Sequence, residues 1–238
     1  MTKIYTGIKI LLLSVLLLGV PKIGTWVANM LSYDRIDPDG AFMWISVHHI
    51  IQALVVLILI IIIRKFKIID FQLGFGDKKV GIKYLKRFML YFTIYAVVVF
   101  ALTVLAGNFQ AFQYPLTARN ISGYLGFQLL LSGPSEELIF RAFAITMFYT
   151  FISTKKAHPK ISYASLFAAI IFGLAHVQIS LSPFEISYAL SQVFFAIALG
   201  FFYGDCYEKS KSVVYPMLMH SFTNVLMIGI TVILSFIL

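Results

Sequence analysis

Seven segments of the chain are apolar for long enough to cross a lipid bilayer. A spanning helix needs about 20 predominantly apolar residues, at a rise of about 1.5 Å per residue. Because hydrocarbon offers the backbone no hydrogen-bond partners, a helix is the expected form of each run. The pattern predicts an all-α fold, a polytopic transmembrane bundle of about seven spans, or eight if the long fourth segment holds two. The predicted spans are 8–31, 42–63, 85–106, 121–152, 161–180, 184–203 and 212–237.

Composition supports a bilayer rather than water as the surrounding solvent. Hydrophobic residues make up 60% of the 238 residues and charged residues only 12%, whereas soluble domains carry about 25% charged residues. The net charge of +9 does not indicate nucleic acid, because the basic residues lie in short patches between apolar runs. We therefore predict an integral, multi-pass protein of the cell membrane, with the lipid bilayer as a partner and no nucleic acid.

Lysine and arginine are concentrated in alternate loops, a bias that places such loops in the cytoplasm and predicts a cytoplasmic N-terminus. The chain divides into two parts. Residues 1–120 contain spans 1–3 and a basic cytoplasmic linker at 64–87, and residues 121–238 form a core of spans 4–7. The linker also contains apolar residues, which favour either a position along the inner leaflet or an ordinary cytoplasmic loop. The basic set comprises Lys3, Lys9, the linker, the loop 155–160, Lys209 and Lys211.

The fourth segment, 121–152, is too long for one straight crossing, at roughly 48 Å. It contains Gly133–Pro134, and proline suits the first turn of a helix while breaking what precedes it. We expect a broken fourth helix that restarts near Ser132–Pro134, with Glu136 and Glu137 in its first turns.

Ionisable residues inside the predicted spans are the strongest functional signal. Each costs about 2.5–3.5 kcal/mol at the bilayer centre, so such residues usually face a cavity and one another. Glu137 and Arg141 share a helix face, as do His220 and Asn224, because each pair is four residues apart. Depths counted from the basic ends overlap for the three helices, which predicts a single internal site. Its members are Glu136, Glu137 and Arg141 in span 4, His176 in span 5, and His220 and Asn224 in span 7.

This set of groups suits amide hydrolysis. A carboxylate–histidine pair can activate water and return the proton to the leaving amine. A second histidine and an asparagine can donate hydrogen bonds to the developing oxyanion. His48, His49 and His158 belong to no such pattern, and we interpret them as packing or interfacial residues.

Three short motifs occur in order, each in its own apolar span. They are Glu136-Glu137-Leu138-Ile139-Phe140-Arg141, Phe172-Gly173-Leu174-Ala175-His176 and His220-Ser221-Phe222-Thr223-Asn224. This set resembles the EExxxR, FxxxH and HxxxN motifs of the CPBP intramembrane proteases, the Abi family. That family includes type II CAAX prenyl endopeptidases and bacteriocin-processing or immunity proteins.

The resemblance implies an intramembrane endopeptidase that acts on a membrane-associated peptide or protein. It implies that Glu136 and His176 activate water and that His220 and Asn224 stabilise the oxyanion. Glu137, Arg141 and Phe172 would support the architecture. We expect no cofactor, since the HExxH zinc pattern is absent; the alternative is zinc bound by Glu136, His176 and His220.

Two non-enzymatic readings remain open. The same cluster would serve as a structural polar core in an immunity protein or a binding scaffold. A transporter would also explain a broken helix with buried carboxylates, although the chain contains no inverted repeat that we can recognise.

Overall fold

The computed structural model describes residues 3–159, 161–181 and 184–238. Two short antiparallel hairpins accompany the helices: β1 (Lys156–His158) with β2 (Ile161–Ser162), and β3 (Gln178–Leu181) with β4 (Phe184–Ser187). The rest of the regular structure is helical, so the expectation of an all-α fold is confirmed. The α-helices are α1 (Lys3–Ala28), α2 (Met43–Phe66), α3 (Lys78–Leu105), α4 (Ala118–Phe127), α5 (Gly133–Glu137), α6 (Ala144–Phe151), α7 (Tyr163–Leu174), α8 (Leu190–Ser210) and α9 (Val214–Ile237).

Five of these helices, α1, α2, α3, α8 and α9, are long and apolar enough to cross a membrane. Helices α1, α2, α3 and α9 correspond to the first three predicted spans and the last one. The remaining predicted spans take other forms, so the structure does not contain seven straight helices of spanning length within the described residues.

The predicted fourth span is a continuous helical column over residues 118–151, here called the composite helix. It consists of α4, α5 and α6, joined by the π-helical turns Gln128–Ser132 and Leu138–Phe143. The predicted break is wrong, because Ser132 and Gly133 keep right-handed helical dihedral angles. The chain winds more widely just before the proline instead of breaking.

The first π turn explains how Pro134 fits inside the column. Proline has no N–H, and its ring crowds the carbonyl group one turn earlier. A π turn is wider than an α turn and relieves such crowding. The Ser221 hydroxyl of α9 donates to the carbonyl oxygen of Leu129 at 2.8 Å, which satisfies a carbonyl in the region where proline supplies no donor.

The predicted fifth and sixth spans also differ from the structure. Helix α7 has 12 residues and is about 18 Å long, too short for a hydrocarbon core of about 30 Å. Strand β2 precedes this helix in 161–180, and a turn and strand β3 follow it, while 184–203 starts as strand β4 before α8 begins at Leu190. Apolar composition alone does not separate short helices from strands, which is why both spans were misplaced.

The basic loops meet at one end of the bundle, here called the basic end. The Lys9 ammonium near the start of α1 donates to the carbonyl oxygen of Phe151, at the end of α6, at 3.0 Å. Lys67, just after α2, lies 4.7 Å from the centre of the Phe151 ring. The Asp77 N–H before α3 donates to the carbonyl oxygen of Ser210, at the end of α8, at 2.7 Å. The loops assigned to one side by their charge thus share one end of the fold.

The basic linker after α2 is packed onto this end. Phe71 is 2% exposed, and its ring stacks on Phe143 with 6.0 Å between centroids. The Val213 N–H donates to the carbonyl oxygen of Gln72 at 2.9 Å. Part of the linker therefore closes the core of the bundle, while Ile68 remains fully exposed.

The composite helix lies at the centre of the protein. All six residues of its second π turn are buried. Helix α2 packs against this column, as do α7, α8 and α9. Polar side chains on this column are consequently enclosed by helices from both halves of the chain.

Gly133 is a point of close contact between the composite helix and α9. A Cβ atom at this position would lie 2.8 Å from the backbone nitrogen of Ser221 and 3.2 Å from Cβ of His220. We expect Gly133→Ala to lower the free energy of unfolding in detergent by about 1–3 kcal/mol, because α9 would have to shift. Gly126→Ala is the control, since its Cβ would meet nothing within 4 Å, and it should be neutral or stabilising. Equal destabilisation by both changes would contradict this contact.

Candidate active site

Glu137 anchors a cluster of charged side chains inside the bundle. Its Oε2 lies 3.0 Å from Nε of Arg141, and neither side chain has exposed surface. Its Oε1 accepts a hydrogen bond from Nδ1 of His220, on α9, at 2.8 Å. Because a carboxylate only accepts, the neutral His220 ring carries its proton on Nδ1 and keeps Nε2 for another partner.

Aromatic rings enclose the Arg141 guanidinium. Its Cζ lies 4.5 Å from the centre of the Phe172 ring on α7 and 5.3 Å from that of Tyr203 on α8. Its Nη1 and Nη2 form no hydrogen bond within the described residues. The buried cation is therefore held by one carboxylate and by the faces of two rings.

Glu136 is the accessible carboxylate of the pair. Its side chain is 19% exposed, while that of Glu137 is fully buried. Its Oε2 lies 3.8 Å from Nε2 of His220, and its Oε1 lies 3.8 Å from Nε2 of His49. These separations exceed a direct hydrogen bond, but catalytic contacts are often loose before substrate binds. Glu136 thus has an imidazole on either side.

His49, on α2, is the member of this cluster that sequence reasoning missed. Its Nδ1 lies 2.7 Å from Oγ of Ser135 and 2.9 Å from Nε2 of Gln52. These contacts orient the ring so that Nε2 faces Glu136. The structure thus adds to the cluster a residue that we interpreted from the sequence as packing or interfacial. The signal that points to it is the spacing of His49 and Gln52, which puts two polar groups on one face of an apolar span.

The adjacent His48 has a different environment. Its Nδ1 shares a hydrogen bond with the Thr25 hydroxyl of α1 at 3.2 Å, and its ring stacks on Trp44 at 5.5 Å. The Thr25 contact joins α1 to α2 and the Trp44 contact lies within α2, so both are packing contacts, as expected for this residue.

His176 lies in the turn that follows α7. Its Nδ1 donates to the carbonyl oxygen of Phe172 at 2.9 Å, which leaves Nε2 unprotonated in the neutral ring. The Phe172 ring lies 5.0 Å from the His176 ring and 5.8 Å from the His220 ring. Both imidazoles border one phenyl ring, but no ion pair joins His176 to Glu136 in the described part of the chain. The imidazoles within 4 Å of the Glu136 carboxylate in the described residues are those of His220 and His49, and the Glu136–His176 pair stays a prediction.

Asn224 ties α9 to the first π turn. Its Nδ2 donates to Oγ of Ser132 at 3.0 Å. It lies one turn after His220, so the two side chains project toward the same column. The sequence prediction that these two residues share a face agrees with their contacts.

The alternative zinc set needs Glu136, His176 and His220 to converge. Among the residues that the structure describes, no group of three or more His, Cys, Asp and Glu side chains is arranged to hold a metal ion. The zinc set is therefore not assembled, and we derive no step through a metal.

The fold and this cluster together define a helical membrane protein with a candidate active site inside its bundle. Residues 118–226 match the sequence model of a family described as Rce1-like, type II CAAX prenyl endopeptidase Rce1-like. That region contains all three motifs, and the match confirms the resemblance to the CPBP proteases. No curated protein and no solved structure matches the chain. The match to an endopeptidase family supports peptidase activity in general, and with the five apolar helices it indicates an integral membrane protein.

His49 and His48 provide a matched pair of substitutions. We expect His49→Ala to lower kcat of the proposed peptidase by up to about 100-fold, because Glu136 loses an orienting neighbour. His48→Ala should change kcat by less than about threefold, because its ring packs on His49 at 5.1 Å but forms no ion pair with Glu136 in the described residues. The measurement is peptide cleavage by each purified variant at matched protein concentration. Similar rates for the two variants would exclude His49 from the site.

Proposed function

We propose that the protein is an intramembrane endopeptidase that hydrolyses a peptide bond of a membrane-associated substrate. The observation that carries this proposal is the paired environment of two adjacent carboxylates. Glu137 is buried and bound to Arg141 and His220, while Glu136 is accessible and free of direct hydrogen bonds within the described residues. This difference supports a structural role for Glu137 and a chemical role for Glu136.

In the proposed reaction, Glu136 accepts a proton from water as the water oxygen attacks the carbonyl carbon of the scissile bond. His176, whose Nε2 is a free base in the neutral ring, assists this activation. The carbonyl oxygen becomes an oxyanion, the C–N bond then breaks, and the proton returns from Glu136 to the leaving amine. Serine or cysteine nucleophiles are not used.

His220 and Asn224 are proposed to stabilise the oxyanion by hydrogen bonding. Glu137 fixes the ring of His220 through Nδ1, and in the doubly protonated ring Nε2 also carries a hydrogen for donation. Asn224 is held next to the same column by Ser132. The buried Glu137–Arg141 pair is therefore a support for the oxyanion donors and does not itself touch substrate.

Cleavage of defined peptides by the purified protein in liposomes tests this proposal. The substrates are one peptide with a C-terminal prenylated cysteine and the same peptide without the lipid, and products are identified by mass spectrometry. We expect cleavage that a chelator does not abolish and that Glu136→Ala does abolish. Loss of cleavage with chelator, restored by zinc, would replace this mechanism with a metal-dependent one. Binding of the peptides without cleavage would favour the scaffold or immunity role.

A further inference from the structure

A large groove runs along the outside of the bundle between α3 and α8, away from the Glu136 site. Its volume is about 750 Å³, and its lining is mostly aromatic and aliphatic. Phe88 and Phe92 of α3 face Phe195 and Leu199 of α8, and Met219 of α9 contributes to the lining. The groove therefore offers an apolar surface on which a hydrocarbon chain can pack.

The walls of this groove face the surroundings of the protein. Tyr91 on α3 is 68% exposed and Phe202 on α8 is 61% exposed. Both helices are candidate membrane spans, so the surroundings at this depth are lipid. The lining from Val80 to Tyr95 extends about 22 Å along α3, which exceeds the roughly 15 Å hydrocarbon depth of one leaflet. The groove is therefore long enough to hold an acyl chain from the interface into the membrane.

Two basic side chains line the groove where it approaches the basic end of the bundle. Lys83 and Arg87 are four residues apart on α3, share a helix face and line the groove. Neither forms a hydrogen bond or an ion pair with another residue in the parts of the chain described. The nearby Asp205 is already occupied, because its carboxylate accepts from Tyr84 and pairs with Lys209. The groove thus offers two uncompensated positive charges beside an apolar channel.

We propose that this groove binds an anionic phospholipid of the surrounding bilayer. An acyl chain occupies the channel, and the headgroup phosphate pairs with Lys83 and Arg87. Long basic side chains can extend toward the headgroup level while their stems pack on apolar surface. Charge complementarity selects the anionic lipid over a zwitterionic one, and the apolar lining alone would not do so.

Phe88 connects the lipid site to the packing around the active site. Phe88, in the groove, meets Tyr203 edge to face with 5.6 Å between centroids. Tyr203 in turn stacks on His220 at 5.2 Å and shares a hydrogen bond with the Thr223 hydroxyl at 2.8 Å. A lipid that packs against Phe88 therefore supports the ring that holds His220. Lipid binding itself is independent of whether the site cleaves peptides.

Lipid retention measured without any substrate tests the proposal. The protein is placed in nanodiscs of phosphatidylcholine with about one lipid in five replaced by phosphatidylglycerol, and bound lipids are counted by native mass spectrometry. The double variant Lys83→Ala/Arg87→Ala should bind phosphatidylglycerol roughly 30-fold more weakly, from about fivefold per charge. Arg64→Ala/Lys65→Ala is the matched control, because it removes the same residue types from the basic end of α2, and it should change binding by less than about threefold.

A second variant tests the apolar channel. Ala198 lies on the exposed face of α8 and lines the groove, so Ala198→Trp fills the channel without disturbing the core. We expect it to reduce phosphatidylglycerol retention, while Val97→Trp, exposed and outside the groove, should not. Three outcomes would overturn the proposal: equal losses in the two charge variants, equal retention of phosphatidylcholine and phosphatidylglycerol, or unchanged retention in Ala198→Trp.

Discussion

Glu136→Gln is expected to reduce peptide cleavage by about three orders of magnitude, within the usual range for removing a general base. Glutamine has the size and shape of glutamate but cannot accept the proton of the attacking water. The nearest basic groups lie 3.8 Å from the carboxylate, so no close ion pair is broken. The measurement is the initial rate of cleavage, with protein abundance in the membrane followed in parallel.

Glu185→Gln provides the control for this substitution. Glu185 is an exposed glutamate on β4, and its change removes the same charge without touching the composite helix. We expect its cleavage rate to remain within about twofold of the parent protein, as for surface substitutions generally. Cleavage retained by Glu136→Gln would remove the proposed base and leave the non-catalytic reading as the better one.

Arg141→Met is expected to cause the largest loss of stability, about 3–5 kcal/mol in the free energy of unfolding. The methionine fills part of the space between Phe172 and Tyr203, but it leaves the Glu137 carboxylate buried without its cation. An uncompensated buried charge is far more costly than the loss of the pair as a whole. The measurement is denaturant-induced unfolding in detergent, read by circular dichroism.

The protein contains a natural control for this pair. Asp205 and Lys209 on α8 are also four residues apart and lie 2.8 Å from each other, but they are 34% and 49% exposed. Lys209→Met should therefore cost less than about 1 kcal/mol. The double change Glu137→Leu/Arg141→Met should be less destabilising than Arg141→Met alone, because no lone charge remains. A larger loss in the double variant would contradict this account of the buried pair.

The apolar pattern predicted most helices, because long runs in lipid have few alternatives to a helix. It misplaced α7 and α8, since the apolar stretch from Tyr163 continues past Leu174 into a strand without a change of composition. The continuous path through Pro134 was not predicted either. The π turn that accommodates proline depends on contacts with α9, which local sequence does not report.

The short sequence motifs predicted part of the candidate site. Glu136, Glu137, Arg141 and His220 lie together because their spacing fixes the faces of two helices, and the structure joins those faces. His49 was missed because its partner Ser135 is 86 positions away in sequence. A contact between distant segments produces no periodic pattern in the sequence, and an isolated histidine in a span is more often a packing residue.

The hairpin of β3 and β4 sets a condition on the membrane around the protein. A two-stranded hairpin leaves outward N–H and C=O groups on both edges, and each costs several kcal/mol if placed in hydrocarbon. Helix α7 stops about 18 Å from its start, so the chain turns into this hairpin well short of a full crossing. Polar headgroups or solvent must therefore reach inward as far as the end of α7. If the protein is the peptidase proposed above, this polar path to the end of α7 is the route by which water would reach His176.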